Sequence, residues 1–286
     1  LFLTASFYAP HPPLFPPKRY FDAYSKRKLP PPAHGDWVDW KALSPEGNRN
    51  GHRVLLEGQT LRAAQAGYFG LIEHLDNSIS SLISDFKTRS EKAARPWIVV
   101  VASDHGEMLG DHGYFRKCEP YEGSAIIPFI ICGSRSLGFA SGQRMEDIMP
   151  PLLALAGTES PASADGVNLV PVLRGKKRLI RQWLHFEHAP CYSKEQAFQA
   201  LTDGRSKYIW RPLNGREHLF DLSKDPKEEH DLSNDRSSAE ALRKWRGRLI
   251  ERLADRPEAF SKDGKLIPGR PYPAINEGSM AKNGKS

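Results

Sequence analysis

The sequence predicts an α/β protein with a mainly parallel sheet flanked by helices, followed by a small antiparallel sheet with one helix. Three observations support this fold class. Continuous apolar runs of strand length occur at 1–9 and 97–103, and a stretch with helical periodicity at 60–87 separates them. Apolar runs without alternation are typical of strands buried on both faces, and strand, helix, strand is the pattern of a parallel sheet. From about residue 160, shorter strand patterns follow one another closely.

The N-terminal region is predicted to be a core strand at 1–9 followed by a long loop. Prolines cluster on both sides of His11 and again at 30–32. Proline removes a backbone donor and fixes φ, so these segments fit neither a regular helix nor a central strand. We therefore expect a loop that runs to about residue 50. Loops of this length in compact domains usually serve a function.

The central region gives the clearest helix and strand signals. Apolar residues recur at spacings of three and four along 60–87, which predicts one long helix with a single buried stripe. A strand follows at 97–103, and a further apolar run at 126–132 contains Pro128, which indicates an edge strand or a strand start. A short helix is predicted within 147–157, because two prolines fall in its first turn and a glycine ends it.

The C-terminal part is predicted to be a small α+β unit. Its strand candidates are separated by turn residues and lie at 183–187, 197–201, 206–210 and 217–222. A helix follows, and the Ser237 to Glu240 spacing predicts a capping box at its start. Residues from 257 are rich in Gly, Pro and Lys, which predicts an extended tail. The expected organisation is a catalytic-type α/β portion at 1–160, an α+β subdomain at 161–256 and a tail at 257–286.

Composition limits the kind of protein but does not name a ligand. The chain has 286 residues, 39% of them hydrophobic and 26% charged, which is typical of a globular protein. Its formal charge of +7 favours anionic partners, but the Lys and Arg residues are scattered, which predicts a solvated surface and no nucleic-acid site. No apolar run approaches the roughly 20 residues of a membrane span. Three cysteines form no disulfide framework, so the compartment stays open.

The strongest candidate for chemistry is Asp104-His105-Gly106, which follows directly on the strand at 97–103. Ligands of open α/β sheets bind at the carboxyl ends of strands. An adjacent carboxylate and imidazole form a common metal-ligand pair. The alternative is a capping aspartate and a hydrogen-bonded histidine at an ordinary turn. A second copy, Asp111-His112-Gly113, follows a glycine turn, and we expect it to shape the loop.

Two further residues are candidates because of their reach and position. Lys117 lies twelve residues after His105 and can meet an anionic group beside a metal, although a loop lysine is usually only solvated. His11 follows the predicted first strand and can protonate a leaving group. The alternative for His11 is a histidine packed among prolines.

In order and spacing, these pieces resemble the sulfatase family of the alkaline-phosphatase superfamily over residues 1 to about 255. The segment 5–13 resembles the family's strand-then-histidine segment, and 68–82 resembles its long helix. Residues 103–113, with Lys117 and 121–124, resemble the metal and anion segment. Residues 205–209, 217–222 and 225–226 resemble the C-terminal subdomain.

The resemblance implies a specific chemistry and site. Family members hydrolyse sulfate esters with a formylglycine nucleophile and a divalent cation, usually calcium, with manganese or magnesium as alternatives. It implies that Asp104 and His105 are metal ligands, that Lys117 contacts the sulfate and that His11 lies near the leaving-group oxygen. The implied substrate is a small-molecule or glycan sulfate ester, and neither a nucleic acid nor a membrane span is expected.

One departure from the family pattern limits this expectation. The family's nucleophile lies in Cys/Ser-x-Pro-x-Arg, and Cys118-Glu119-Pro120-Tyr121-Glu122 has glutamate in place of arginine and stands out of order. We therefore expect the C-terminal part of a sulfatase catalytic domain, inactive in isolation. One alternative is a phosphonate or phosphate ester hydrolase of the same superfamily. Another is a non-catalytic anion-binding protein.

Overall fold

A computed structural model describes residues 1–47, 52–134, 144–176 and 181–273. Its α-helices are α1 (Lys18–Ser25), α2 (Gly58–Lys92), α3 (Glu122–Ala125), α4 (Met149–Leu155), α5 (Val170–Leu173) and α6 (Ala239–Arg252). Its strands are β1 (Ile98–Ala102), β2 (Phe129–Gly133), β3 (Leu184–His188), β4 (Phe198–Thr202), β5 (Ser206–Trp210), β6 (Glu217–Asp221), β7 (Ser261–Lys262) and β8 (Lys265–Leu266). No helix in these ranges is both long and apolar enough to cross a membrane.

The predicted long helix is confirmed as α2, which has 35 residues. The prediction of a continuous loop up to residue 50 is wrong in part, because α1 forms between the two proline clusters. Its eight residues contain no proline, and Pro17 stands at the N-cap, where a missing backbone donor costs little. The preceding segment lies against α2 at Gly67, where an added Cβ would come within 2.4 Å of the Leu14 carbonyl oxygen. Glycine at this position permits the close approach.

The central strand pair corrects the predicted parallel sheet. Strands β1 and β2 pair antiparallel, with Val100 opposite Ile131. The run at 1–9 is not a strand, and its side chains are largely exposed, including 79% of Phe2. A strand requires a partner for its backbone hydrogen bonds, and no described strand pairs with this run. Apolar composition therefore predicted a strand that pairing does not support. Pro128 stands immediately before β2, as expected of a strand start.

The C-terminal sheet is confirmed as four antiparallel strands in the order β3-β4-β5-β6. Alternate residues along its strands point to opposite faces, and each face is buried. Helix α6 covers one face, where the cluster comprises Leu201, Tyr208, Trp210, Leu219, Leu242, Trp245, Leu249, Leu253 and Phe260. The other face packs on the loop after β1, through Met108, Tyr114, Tyr121, Phe198, Ala200, Ile209 and Phe220. The sheet therefore forms the floor beneath that loop.

Two local predictions at the C-terminal end need correction. The prediction of a capping box is wrong, because α6 begins only at Ala239. The amide and the hydroxyl of Ser237 instead donate hydrogen bonds to the Asp235 carboxylate. Part of the predicted tail is folded, since β7 and β8 form a hairpin and Phe260 is fully buried against Trp210. Residues 274–286 of that tail lie outside the described residues.

Candidate active site

The first part of the site lies just beyond the end of β1, at Asp104 and His105. The Ser103 hydroxyl donates to the His105 carbonyl oxygen at 2.7 Å, and the His105 amide donates to Oδ1 of Asp104 at 3.0 Å. These bonds fix a tight turn, so Oδ2 of Asp104 lies 3.5 Å from Nε2 of His105. The Asp104 side chain is 75% exposed and that of His105 32% exposed. Both side chains are therefore accessible and turned toward one point.

The hydrogen bonding of His105 suits a metal ligand. Its Nδ1 lies 2.7 Å from the Gly106 carbonyl oxygen, which can only accept, so Nδ1 carries the proton. This leaves the Nε2 lone pair, on the Asp104 side, for a ligand, and metal-binding histidines are usually held in this way. The donor pair fits a divalent cation. Among the described residues, no group of three or more His, Cys, Asp or Glu side chains could hold a metal ion. Asp104 and His105 therefore form a pair of donors without a third side chain of these types beside them.

The loop after His105 folds back on itself. The Met108 amide donates to the Arg116 carbonyl oxygen at 2.9 Å, and Glu107 accepts from the amides of Leu109 and Arg116. At its base, the Gly106 amide donates to the Ser124 carbonyl oxygen at 2.8 Å. This closed loop brings the chain at Arg116, the residue before Lys117, back to Met108.

The second part of the site is the pair His11 and Lys117. Nζ of Lys117 lies 3.2 Å from Nε2 of His11, and Nδ1 of His11 lies 2.8 Å from the Pro12 carbonyl oxygen. Because that carbonyl accepts from Nδ1, the ammonium donates and Nε2 accepts. The structure thus joins the four predicted site residues in two pairs. Among the described residues, no hydrogen bond or ion pair links one pair to the other.

The backbone on both sides of Lys117 is strained. Arg116 has φ of +67° and Cys118 has φ of +71°, and neither is glycine. A left-handed non-glycine residue costs on the order of 1 to 3 kcal/mol and persists only where its surroundings hold it. Such residues concentrate at functional sites. The position of Lys117 is therefore imposed by contacts outside its own segment.

The second Asp-His-Gly copy has a different role from the first. Oδ1 of Asp111 accepts from the Ala33 amide at 2.7 Å, and Nδ1 of His112 accepts from the Gly35 amide at 3.1 Å. The His112 side chain is buried, and burial lowers its pKa to about 4. Both side chains are thus engaged in tethering the segment at 33–35, which supports the loop-shaping interpretation.

The segment that partly matches the nucleophile motif does not have the environment of a nucleophile. Burial and the neighbouring Cys191 thiol raise the pKa of the Cys118 thiol to about 12, so it stays protonated near neutral pH. Glu122, at the position of the motif's arginine, pairs with Nζ of Lys207 at 2.5 Å. The carboxylate of Glu122 therefore forms an ion pair with a fully buried lysine.

Sequence reasoning missed the buried ion pairs beneath Lys117. Nη2 of Arg211 lies 2.9 Å from Oε2 of Glu119, and both side chains are buried. Burial alone would raise the pKa of Glu119, but Arg211 and His52 together lower it. Nζ of Lys207 donates to the Pro120 carbonyl oxygen at 2.9 Å. These partners lie about ninety positions apart, so no spacing could predict them. The one available signal was a charge within the apolar strand pattern at 206–210.

Two family models match the chain. The model described as "Sulfatase" matches residues 1–158, and the model described as "N-sulphoglucosamine sulphohydrolase, C-terminal" matches residues 110–255. The first covers more than half of the chain and includes all four predicted site residues. The second begins inside the loop that carries Lys117 and extends through the C-terminal sheet and α6.

Individual relatives agree with this assignment. An arylsulfatase of Clostridium perfringens is 34% identical over 282 residues, which cover 96% of this chain and 58% of that protein. A choline-sulfatase of Rhizobium meliloti is 30% identical, with 79% and 45% covered. The chain thus spans about half the length of these curated relatives.

Solved structures show the same fold. A protein in complex with its substrate D-glucosamine-2-N,6-O-disulfate matches with a TM-score of 0.67 at 22% identity, over 86% of this chain and 63% of that one. A phosphonate monoester hydrolase from Silicibacter pomeroyi matches with a TM-score of 0.66 at 26% identity, over 86% and 54%. The α/β architecture is that of sulfatases and alkaline-phosphatase-like proteins. From its family models, its relatives and its fold, the chain belongs to the sulfatase family.

Proposed function

We propose that this chain carries the anion-binding and proton-donating part of a metal-dependent sulfatase active site. The observation that supports this most directly is the contact between Nζ of Lys117 and Nε2 of His11 at 3.2 Å. It joins a cation suited to a sulfate oxygen with a titratable group suited to the leaving oxygen. The sulfated substrates of relatives, choline sulfate by name in one case, fit a small-molecule or glycan sulfate ester.

Lys117 provides a positive charge that can bind the sulfate group of the substrate. In sulfate ester hydrolysis negative charge develops on the bridging oxygen as the ester bond breaks, and a fixed ammonium neutralises the nonbridging oxygens of the reacting group. The contacts that hold Arg116 and Cys118 in their strained conformations keep the ammonium in place before substrate binds. Its contact with His11 gives the ammonium a partner until an anion replaces it.

His11 provides a proton at Nε2. The bond from Nδ1 to the Pro12 carbonyl fixes the ring so that Nε2 is the exchanging atom. Nε2 accepts from the Lys117 ammonium in this structure, so it can carry the transferred proton only once the ammonium has turned to the sulfate. Transfer of that proton to the departing oxygen converts an alkoxide or phenoxide into a neutral alcohol or phenol.

Asp104 and His105 would hold the divalent cation, through a carboxylate oxygen and the free Nε2. A bound cation supplies Lewis-acid stabilisation of the substrate oxygens. We propose calcium, with magnesium or manganese as alternatives, and the imidazole ligand is the reason to include manganese, a transition metal. The sequence contains no Cys/Ser-x-Pro-x-Arg motif, so we assign no nucleophilic step to its residues.

A substrate panel tests the proposal. The gene product that contains this sequence is assayed with 4-nitrophenyl sulfate, 4-nitrophenyl phosphate and a 4-nitrophenyl phosphonate monoester, with and without added divalent cations. We expect metal-dependent hydrolysis with the highest kcat/KM for the sulfate ester. A higher kcat/KM for the phosphonate would favour the phosphonate hydrolases, which the likeness to the Silicibacter pomeroyi enzyme makes the second candidate. Sulfate binding without hydrolysis of any ester would leave a non-catalytic anion-binding protein.

A further inference from the structure

We infer that Lys207 in β5 and Arg211, directly after β5, are positioning residues for Lys117. Neither is expected to touch substrate. They hold the segment at 119–122, which follows Lys117 after a single intervening residue. The catalytic consequence rests on the proposed function, because it requires Lys117 to meet the substrate anion. The geometric consequence, the contact between Lys117 and His11, does not.

Arg211 fixes the segment through Glu119. Its guanidinium donates through Nη2 to Oε2 of Glu119 at 2.9 Å and through Nη1 to the Gln196 carbonyl oxygen at 2.7 Å. A third contact joins Nη2 to the Tyr121 hydroxyl at 3.3 Å. Oε1 of Glu119 faces Nε2 of His52 at 3.5 Å. The carboxylate is thus fixed from two sides, only two positions after Lys117.

Lys207 fixes the next residues of the same segment. Its side chain is fully buried, and Nζ donates to the Pro120 carbonyl oxygen at 2.9 Å. The same ammonium lies 2.5 Å from Oε1 of Glu122 and 2.8 Å from Oε1 of Glu228. A buried cation has no water to compensate for a lost partner, so these contacts resist displacement. The backbone itself, and not only its side chains, is therefore fastened to the sheet.

The strain around Lys117 indicates what this anchoring achieves. The left-handed conformations of Arg116 and Cys118 are not favoured by their own residue types, so the chain relaxes unless both ends of the segment are held. Residues before Arg116 are held by the closed loop after β1. Residues after Cys118 are held by Arg211 and Lys207. Loss of either cation should let Lys117 move away from His11.

The test measures the His11 contact separately from activity. In the gene product that contains this sequence, labelled with ¹⁵N-histidine, the Nε2 signal of His11 is assigned with His11→Gln. Its position without the ammonium is defined with Lys117→Met. The variants are Arg211→Met, Lys207→Met and, as a control, Arg246→Met. Arg246 forms a two-bond pair with Glu217 of the same sheet, at 2.7 and 2.6 Å.

We expect Arg211→Met and Lys207→Met to move the His11 signal toward its position in Lys117→Met, whereas Arg246→Met leaves it unchanged. In parallel, kcat/KM for an aryl sulfate should fall on the order of 10- to 100-fold in the first two variants, since small displacements of a charged group are costly. The Arg246→Met variant should stay within about twofold of the parent, because its pair touches no part of the segment.

An unchanged His11 signal in folded Arg211→Met and Lys207→Met would overturn the inference. If Arg211→Met fails to fold, Glu119→Gln replaces it, because glutamine keeps the size and an acceptor but removes the charge that holds Arg211. An unchanged His11 signal in folded Glu119→Gln would then overturn the Arg211 role. If Lys207→Met fails to fold, Glu122→Gln replaces it, because Glu122 pairs with Nζ of Lys207, and an unchanged His11 signal in that folded variant would overturn the Lys207 role. If the parent hydrolyses no sulfate ester, the proposed function fails, yet the His11 signal still decides whether the sheet positions Lys117.

Discussion

Nε2 of His11 and Nζ of Lys117 lie 3.2 Å apart, although 106 positions separate the two residues in the sequence. Each arrives by a different route. The segment of His11 packs on α2, where Gly67 permits the close approach of Leu14. Lys117 is returned by the closed loop after β1. The contact therefore depends on α2, the loop and the C-terminal sheet beneath it, and it places a cation beside a titratable ring.

Replacing Lys117 should remove transition-state stabilisation without unfolding the protein. We expect Lys117→Met to lower kcat/KM for an aryl sulfate, because the activation free energy should rise by about 2 to 4 kcal/mol, as it does when an oxyanion contact is lost. Steady-state kinetics of the gene product measure this. Lys224→Met is the control, because that side chain is 86% exposed and pairs only at the surface. Equal losses in both variants would contradict the assignment, and loss of folding in Lys117→Met would make Lys117 structural.

Replacing His11 should depend on the leaving group. A poor leaving group needs the proton from Nε2 more than 4-nitrophenolate does. We expect His11→Gln to lower kcat/KM by roughly 10²- to 10⁴-fold for an alkyl sulfate and by a clearly smaller factor for 4-nitrophenyl sulfate. A series of aryl sulfates with graded phenol pKa measures the slope. A uniform loss across the series would show that His11 binds substrate but does not protonate it.

The two Asp-His-Gly copies should differ in metal dependence. Asp104 has an exposed carboxylate next to the free Nε2 of His105, whereas Asp111 already accepts the Ala33 amide. We expect Asp104→Asn to weaken Mn²⁺ binding by at least about tenfold, because a neutral amide replaces an anionic ligand. Electron paramagnetic resonance of free Mn²⁺ measures the affinity. Asp111→Asn should bind Mn²⁺ like the parent, and the opposite ranking would move the metal to the second copy.

Burial of His112 should make stability fall with acid over a defined interval. Its folded pKa of about 4 lies below the ordinary 6.5, so the unfolded chain takes up a proton first as pH falls. The contribution of this group is fully present above pH 6.5, is lost between 6.5 and 4, and changes no further below 4. Its total is up to about 3 kcal/mol. Urea denaturation at each pH should show this fall in the parent and in His230→Asn, whose ring is exposed. His112→Asn should show a smaller fall but not lose it entirely, because burial also lowers the pKa values of His185 and His218.

Two glycine-to-alanine substitutions should change the stability of the protein in opposite directions. A Cβ on Gly106 would lie 2.2 Å from the Gly123 carbonyl oxygen, so Gly106→Ala forces the base of the loop apart. We expect it to destabilise the protein by about 1 to 3 kcal/mol. In α6, a Cβ on Gly247 would meet nothing within 4 Å, so Gly247→Ala should stabilise by about 0.5 to 1 kcal/mol through helix propensity. Thermal unfolding compares the two, and equal effects would contradict this reading of the loop.

Local patterns were sufficient where neighbouring residues decide the structure. The periodicity at 60–87 predicted α2, and the short runs between turn residues after residue 183 predicted β3 to β6, because neighbouring residues determine a helix stripe or a short strand. Local patterns failed where the structure depends on pairing with a distant strand. The run at 1–9 is apolar but unpaired among the described strands, and β1 pairs antiparallel with β2. The predicted division at 160 and 256 stays a prediction.

By itself, the sequence determined the family, the four candidate residues and the residue types that suit a metal and an anion. Only the tertiary structure decided that His11 meets Lys117, that the second Asp-His-Gly copy is buried as a tether, and that Arg211 and Lys207 hold the segment after Lys117. The reason is physical. Residue chemistry is local to the chain, whereas hydrogen bonds and buried ion pairs form between groups that folding brings within about 3 Å of each other.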